Sequence, residues 1–229
     1  MASLRRGMLR KRSQGVEDLY TSTAQDAPQK KHWCARIKVI SMGPLGCGKS
    51  CLIKRFCEER FVSKYISTIG IDYGVKPVTV LGEQVRVNFW DLSGHPDFFE
   101  IRNEFYKDSQ GALLVYDAGS RDSFRELDAW VKEAARFGAA GIPVVVVANK
   151  VDKRRAVLEE EGAAWATARG YPYFETSAES GANVAAVFQH LFELALTHTR
   201  AGGAGSSGGS GGDGGNGGGV SGFERSTGE

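Results

Sequence analysis

Eight consecutive residues carry the strongest chemical signal in the chain: Gly43-Pro44-Leu45-Gly46-Cys47-Gly48-Lys49-Ser50. The pattern is a glycine, four residues, a second glycine, a lysine and a hydroxyl residue. Glycines let successive main-chain N–H groups turn inward around phosphate oxygens. Lys49 adds a point charge for the outer phosphates. A helix opening there would bring its positive end to the same oxygens. The Ser50 hydroxyl suits Mg²⁺, a hard ion that prefers oxygen ligands. Gly43, Leu45, Gly46, Cys47, Gly48, Lys49, Ser50 and the following Cys51 are therefore the candidate phosphate-side residues. The loop points to a nucleoside triphosphate and leaves its base open.

Three later motifs choose the base. Asp91-Leu92-Ser93-Gly94 puts an acid where a strand would end, able to hold the metal directly or through water, and a glycine whose N–H can meet the third phosphate. In Asn149-Lys150-Val151-Asp152, a carboxylate can accept two parallel N–H bonds from the N1 and N2 edge of guanine. Adenine offers neither donor there and would leave the carboxylate unpaired, a costly mismatch. That disfavours a kinase or ATPase built on the same loop. In Glu175-Thr176-Ser177-Ala178, the backbone N–H groups of Ser177 and Ala178 can reach the guanine carbonyl. Each short motif is weak alone. All four in this order, each after a strand, are strong.

The elements that must position these residues alternate. Residues 37–42 read as a strand running into glycine, and Leu52, Ile53, Phe56 and Cys57 recur at helical spacing. Residues 71–81 and 84–90 read as two strands joined by a turn at 81–83. Residues 112–116 and 142–148 are short apolar runs, as buried parallel strands require. Ser123 and Glu126 match a capping box opening a helix. A helix over 159–169 precedes a brief strand at 172–174. Val184, Val187, Phe188, Leu191, Phe192, Ala195 and Leu196 define a long amphipathic helix. Strands alternating with helices predict an α/β domain over 33–200, a mostly parallel sheet with helices on both faces.

Composition limits the alternatives. The 229 residues carry 29 basic and 27 acidic side chains, a formal net charge of +2, which argues against nucleic acid as a partner. No apolar run approaches the ~18 residues of a membrane span. Cys34, Cys47, Cys51 and Cys57 fall within 24 residues, without paired spacing, and read as reduced thiols. Residues 1–32 form a polar arm with Arg5, Arg6, Arg10, Lys11 and Arg12 near its start. It reads as a solvated terminus, or as a weak contact for anionic membrane. Residues 201–229 form a glycine-rich tail, with 13 glycines in 202–222, and are expected to be disordered.

Residues 36–200 resemble a small GTPase of the Ras superfamily, nearest its Rab branch. Residues 61–75, FVSKYISTIGIDYGV, resemble the first switch of that family. The phrases RIKVISMG, TIGIDYGV and GHP resemble more specifically the Rab-like GTPases that in animals are fused to a C-terminal DnaJ domain. The resemblance implies a six-stranded sheet, GTP or GDP with Mg²⁺, and effector and exchange-factor proteins that bind through 61–75 and 94–107. It makes Thr68 the threonine that closes on the metal and the third phosphate, so Ser50, Thr68 and Asp91 form the implied metal set. Lys49, Gly94 and His95 form the implied catalytic set. A monomer in the cytoplasm is expected. A nuclear or ciliary site, and trafficking or signalling work, follow from resemblance alone.

Three departures matter. His95 stands where the family has the glutamine that orients the attacking water, and an imidazole places donor and acceptor on opposite edges. Leu45 stands where a small residue is usual and would crowd the third phosphate. Both predict slow or partner-dependent hydrolysis and a chain resting with GTP. The alternative is a non-cycling interaction module that keeps its nucleotide as a structural ligand. No cysteine follows Cys57 and residue 2 is Ala, so no lipid anchor is expected. Finally, the glycine tail does not spell a DnaJ domain. His95-Pro96-Asp97 matches that domain's tripeptide, but Pro96 fits better as the first residue of a helix. Phe98, Phe99 and Tyr106 nearby are candidate effector contacts.

Overall fold

The computed structural model describes residues 35–64 and 66–204. The basic arm, its proposed membrane contact, Cys34 and the tail from 205 lie outside them. Six strands form one sheet in the order β2-β3-β1-β4-β5-β6. They are β1 (Ala35–Met42), β2 (Ile71–Val80), β3 (Glu83–Leu92), β4 (Gly111–Asp117), β5 (Val144–Asn149) and β6 (Tyr173–Glu175). Only β2 pairs antiparallel, with β3; every other neighbouring pair is parallel.

Side-chain alternation on the strands builds two cores. Ile37, Val39, Leu113, Val115, Val145 and Val147 face one side of the sheet. They pack with Leu52 of helix α1 (Lys49–Glu58) and with Phe188 and Phe192 of helix α6 (Val184–Ala204). Ile40, Met42, Leu114, Tyr116 and Val146 face the other side. They pack with Phe124, Leu127, Trp130 and Ala166. Those four residues belong to helices α3 (Arg121–Arg125), α4 (Leu127–Arg136) and α5 (Glu159–Thr167), while α2 (Phe99–Asn103) follows a 3₁₀ turn at Pro96–Phe98. β4 and β5 are buried almost throughout, as strands covered on both faces must be.

Three local expectations change. The β2–β3 turn is two residues, not three: Leu81 and Gly82 both take positive φ, 49° and 80°, and Glu83 already pairs with Val80. A two-residue hairpin with two left-handed positions suits the strand twist. Ser123 does not open its helix. Ser120 is the cap, in extended backbone, and its side chain accepts from Ser123 N–H. Ser123 is buried, and its hydroxyl serves the end of β4 instead, accepting from Asp117 N–H at 3.0 Å. Last, residues 201–204 continue α6, so the boundary expected at 200 falls inside that helix.

Candidate functional site

Every candidate motif follows the C-terminal end of a strand: 43–50 after β1, 91–94 at the end of β3, 149–152 at the end of β5, 175–178 at the end of β6. In a parallel sheet, ligands bind at that edge. The loops there enclose a cleft of about 280 Å³. Of the sequence candidates, Leu45, Gly46, Gly48, Lys49, Ser50, Cys51, Thr68, Gly94, Asn149, Lys150, Asp152 and Ala178 line it.

Three motif glycines are fixed by close approach. A Cβ on Gly43 would lie 2.1 Å from Val115 O. A Cβ on Gly48, whose φ is 100°, would lie 2.2 Å from Asn149 Nδ2. A Cβ on Gly94 would lie 2.5 Å from Leu45 N and Pro44 C. The segment at Gly94 therefore touches the phosphate loop at a point where only a hydrogen fits.

Lys49 is buried, and its ammonium donates to the carbonyls of Gly43 and Pro44 at 2.7 and 3.0 Å. It is thereby held at the loop's inner rim. Asn149, also buried, ties the loops together. Its amide donates to Cys47 O at 2.9 Å, and its Oδ1 accepts from Thr176 Oγ1 at 3.2 Å and Ala178 N at 3.3 Å. Lys150 bridges Gly46 O at 2.6 Å and Asp117 Oδ2 at 2.7 Å. Asp152 lines the cleft, exposed, with no hydrogen bond or ion pair among the described residues. A carboxylate so placed is free to accept from a base edge.

Asp91 is buried beneath the cleft. It accepts from Ser41 Oγ at 2.5 Å and from Ser50 Oγ, and Thr68 Oγ1 lies 3.4 Å away. Ser50 and Thr68 hydroxyls are 2.9 Å apart. Burial pushes the Asp91 carboxyl above the ordinary aspartate range, against the pull of Lys49 and the two serine hydroxyls. Among the described residues no cluster of three His, Cys, Asp or Glu side chains exists. One carboxylate and two hydroxyls are all hard oxygen donors. They fit Mg²⁺ completed by phosphate and water, and they do not fit a soft transition metal.

The remaining candidates do not line the cleft. Gly43 lends its carbonyl to Lys49, and the Cys47 side chain is buried in the core. Ser177 is buried, with its N–H on Ala182 O at 3.2 Å, and does not line the cleft; Ala178 does, with its N–H on Asn149 Oδ1. His95 points away. Its Nδ1 accepts from Asp97 N–H at 3.2 Å and caps the 3₁₀ turn that Pro96 begins. Tyr106 is no surface contact: it is fully buried, its hydroxyl 2.7 Å from Glu133 Oε1. Phe98 and Phe99 are half-buried, Phe99 edge-on to Phe137.

The cleft also recruits residues that motif reading missed. Lys54 lies one helical turn beyond Ser50, a signal present in the spacing. Ser93 and Phe61 sit inside the 91–94 and 61–75 stretches without having been singled out, and Lys153 and Glu179 directly follow the motifs at 149–152 and 175–178.

A glycine-rich loop with a buried lysine, two hydroxyls beside a buried carboxylate, and an exposed carboxylate, all at one sheet edge, fit a nucleotide-binding α/β domain. The sequence model of the Ras family matches residues 38–197, and the chain belongs to that family, carrying its GTP-binding domain. It is similar to the DnaJ homolog subfamily C member 27 of Danio rerio and of Homo sapiens, 55% identical over 164 residues in each case. Those alignments cover 69% of this chain and 60% of each relative, so the chain spans about 60% of their length. It is also 50% identical over 187 residues to the same-named protein of Gallus gallus, covering 78% of this chain and 68% of that one. No helix among the described residues is long and apolar enough to cross a membrane.

Proposed function

We propose that the chain is a Rab-like guanine-nucleotide switch that hydrolyses GTP slowly and rests mainly in its GTP state. The observation that carries this reading is the meeting of two separate segments at one end of the cleft. Thr68 lies beside Ser50 and Asp91, and Gly94 lies against the phosphate loop. A third phosphate between them would tether both segments, and its loss would release both. A partner that prefers one arrangement then reads the nucleotide state.

Ser50, Thr68 and Asp91 would hold Mg²⁺, which supplies charge neutralisation at the outer phosphates. Lys49 would add its charge from the opposite rim. Asp152 would choose guanine, and Ala178 N–H, now on Asn149 Oδ1 at 3.3 Å, would be shared with or turned to the base carbonyl. Effectors and exchange factors would dock on 61–75 and 94–107, where Ile66, Ile69, Tyr73 and Ile101 stand exposed. Slow turnover follows from two features. His95 does not line the cleft and its Nδ1 is taken as a cap, and Leu45 is part of the cleft's lining.

Single-turnover hydrolysis by the purified chain tests the rate. The expected value lies well below the roughly 10⁻⁴ s⁻¹ scale of unassisted Ras, and a value at or above it defeats the slow-hydrolysis reading. Hydrogen exchange tests the switch. Residues 61–75 and 94–107 should be more protected with a non-hydrolysable GTP analogue than with GDP. Equal protection would favour a permanent structural nucleotide.

A further inference from the structure

Asp152 has no hydrogen bond or ion pair of its own among the described residues, so its place is set by the anchors of its loop. On one side Val151 N–H donates to Thr176 O at 3.2 Å. On the other, the Arg155 guanidinium grips both carboxylate oxygens of Glu175, at 2.5 and 2.6 Å. Ala156 and Val157 N–H groups then fasten the loop to Ala118 O at 2.8 and 3.0 Å. Glu175 ends β6, directly before the Thr176-Ser177-Ala178 turn. One planar, bidentate pair thus joins the loop bearing the base-facing carboxylate to the loop bearing the Ala178 N–H.

The pair is itself braced. Tyr173 hydroxyl donates to Glu175 Oε1 at 2.9 Å, and Tyr116 hydroxyl stands 3.2 Å from that of Tyr173. Helix α5 closes over both rings at Gly162, where a Cβ would lie 2.3 and 2.7 Å from the two hydroxyl oxygens. None of these groups lines the cleft.

We propose that Arg155 and Glu175 are positioning residues for base selection, holding Asp152 at a fixed distance from Ala178 so that the carboxylate meets both guanine donors. This rests on the guanine reading above. The test is competition of GTP and inosine triphosphate against a fluorescent GDP analogue. Inosine lacks the N2 amine, so the ratio of the two affinities isolates the second hydrogen bond to Asp152.

The wild-type chain should prefer GTP. In Arg155→Met the preference should fall about tenfold, through weaker GTP binding with inosine triphosphate little changed. Glu175→Gln should do the same and serves if the first variant does not fold. Arg155→Lys, which keeps the charge and loses the fork, should fall between. A purely structural role would weaken both nucleotides alike. An unchanged ratio in both Arg155→Met and Glu175→Gln overturns the inference while leaving the guanine reading intact. A wild-type chain with no preference refutes that reading and the inference with it.

Discussion

Gly94→Ala puts a methyl group where the 94–107 segment meets the phosphate loop. The added carbon would lie 2.5 Å from Leu45 N and Pro44 C and 2.7 Å from Gly43 O, all main-chain atoms. Carbon contacts settle at ~3.5–4.0 Å, so the gap must open by about 1 Å. The loop resists, because Lys49 holds the Gly43 and Pro44 carbonyls from inside. The switch segment therefore retreats. A retreat of about 1 Å takes the residue-94 N–H from ~2.9 Å to ~3.9 Å from a third-phosphate oxygen, beyond hydrogen-bond reach. A hydrogen bond to a charged group is worth roughly 1.5–3 kcal/mol, or about 10- to 150-fold. GDP makes no such contact and should bind as before. Calorimetric titration of wild type and variant with GDP and with a non-hydrolysable GTP analogue, at fixed Mg²⁺, reads the two affinities. The analogue-to-GDP ratio should fall by that factor. An unchanged ratio would refute the claim that this contact senses the third phosphate.

Other perturbations probe the supports. The Arg102–Glu133 pair is nearly buried, with contacts at 2.6 and 2.8 Å, and Arg102 also donates to the His95 carbonyl at 3.0 Å. Removing one partner, as in Glu133→Gln, should cost roughly 3–5 kcal/mol in urea unfolding and loosen hydrogen exchange around residues 93–95. A loss under about 1 kcal/mol would contradict the pair's role. Arg155 holds the Glu175 carboxyl below the ordinary glutamate range, chiefly through its hydrogen bonds. Because the folded state favours the ionised form, that stability is present above the unfolded value of about 4.3 and is lost as pH falls through the folded one. Glu175→Gln should flatten the acid limb of a melting-temperature profile below about pH 5; an unchanged limb would sink that assignment. Replacing His95 by Gln together with Leu45 by Gly should raise single-turnover hydrolysis by about tenfold or more, and an unchanged rate would show that neither residue limits it.

What the sequence made legible was whatever repeats with a short period or sits at fixed offsets. Gly43–Ser50, Asp91, Asn149 and Asp152 belong to short motifs that each follow an apolar strand, so the α/β class and the mostly parallel sheet were legible from them. Tyr106 was misread because its spacing among Phe98 and Phe99 says nothing about Glu133, 27 residues on, whose carboxylate draws its hydroxyl inward. Ser123 matched a capping box, but a serine three residues earlier caps the helix by accepting from Ser123 N–H, and Asp117 N–H claimed the Ser123 hydroxyl. Arg155 and Glu175 were invisible as a pair for the same reason. They are 20 residues apart, and only the β5–β6 register brings them together. His95 was legible as an unusual residue, and its cap on Asp97 N–H was not, since the ring's direction depends on the turn that Pro96 starts.

The decisive property of the molecule is what its cleft holds. Mass spectrometry of the nucleotide released from the purified, unfolded chain reads base and phosphate count together. Guanine nucleotide near one equivalent, with triphosphate exceeding diphosphate, is the predicted result. A chain that releases adenine nucleotide, or none, would contradict it.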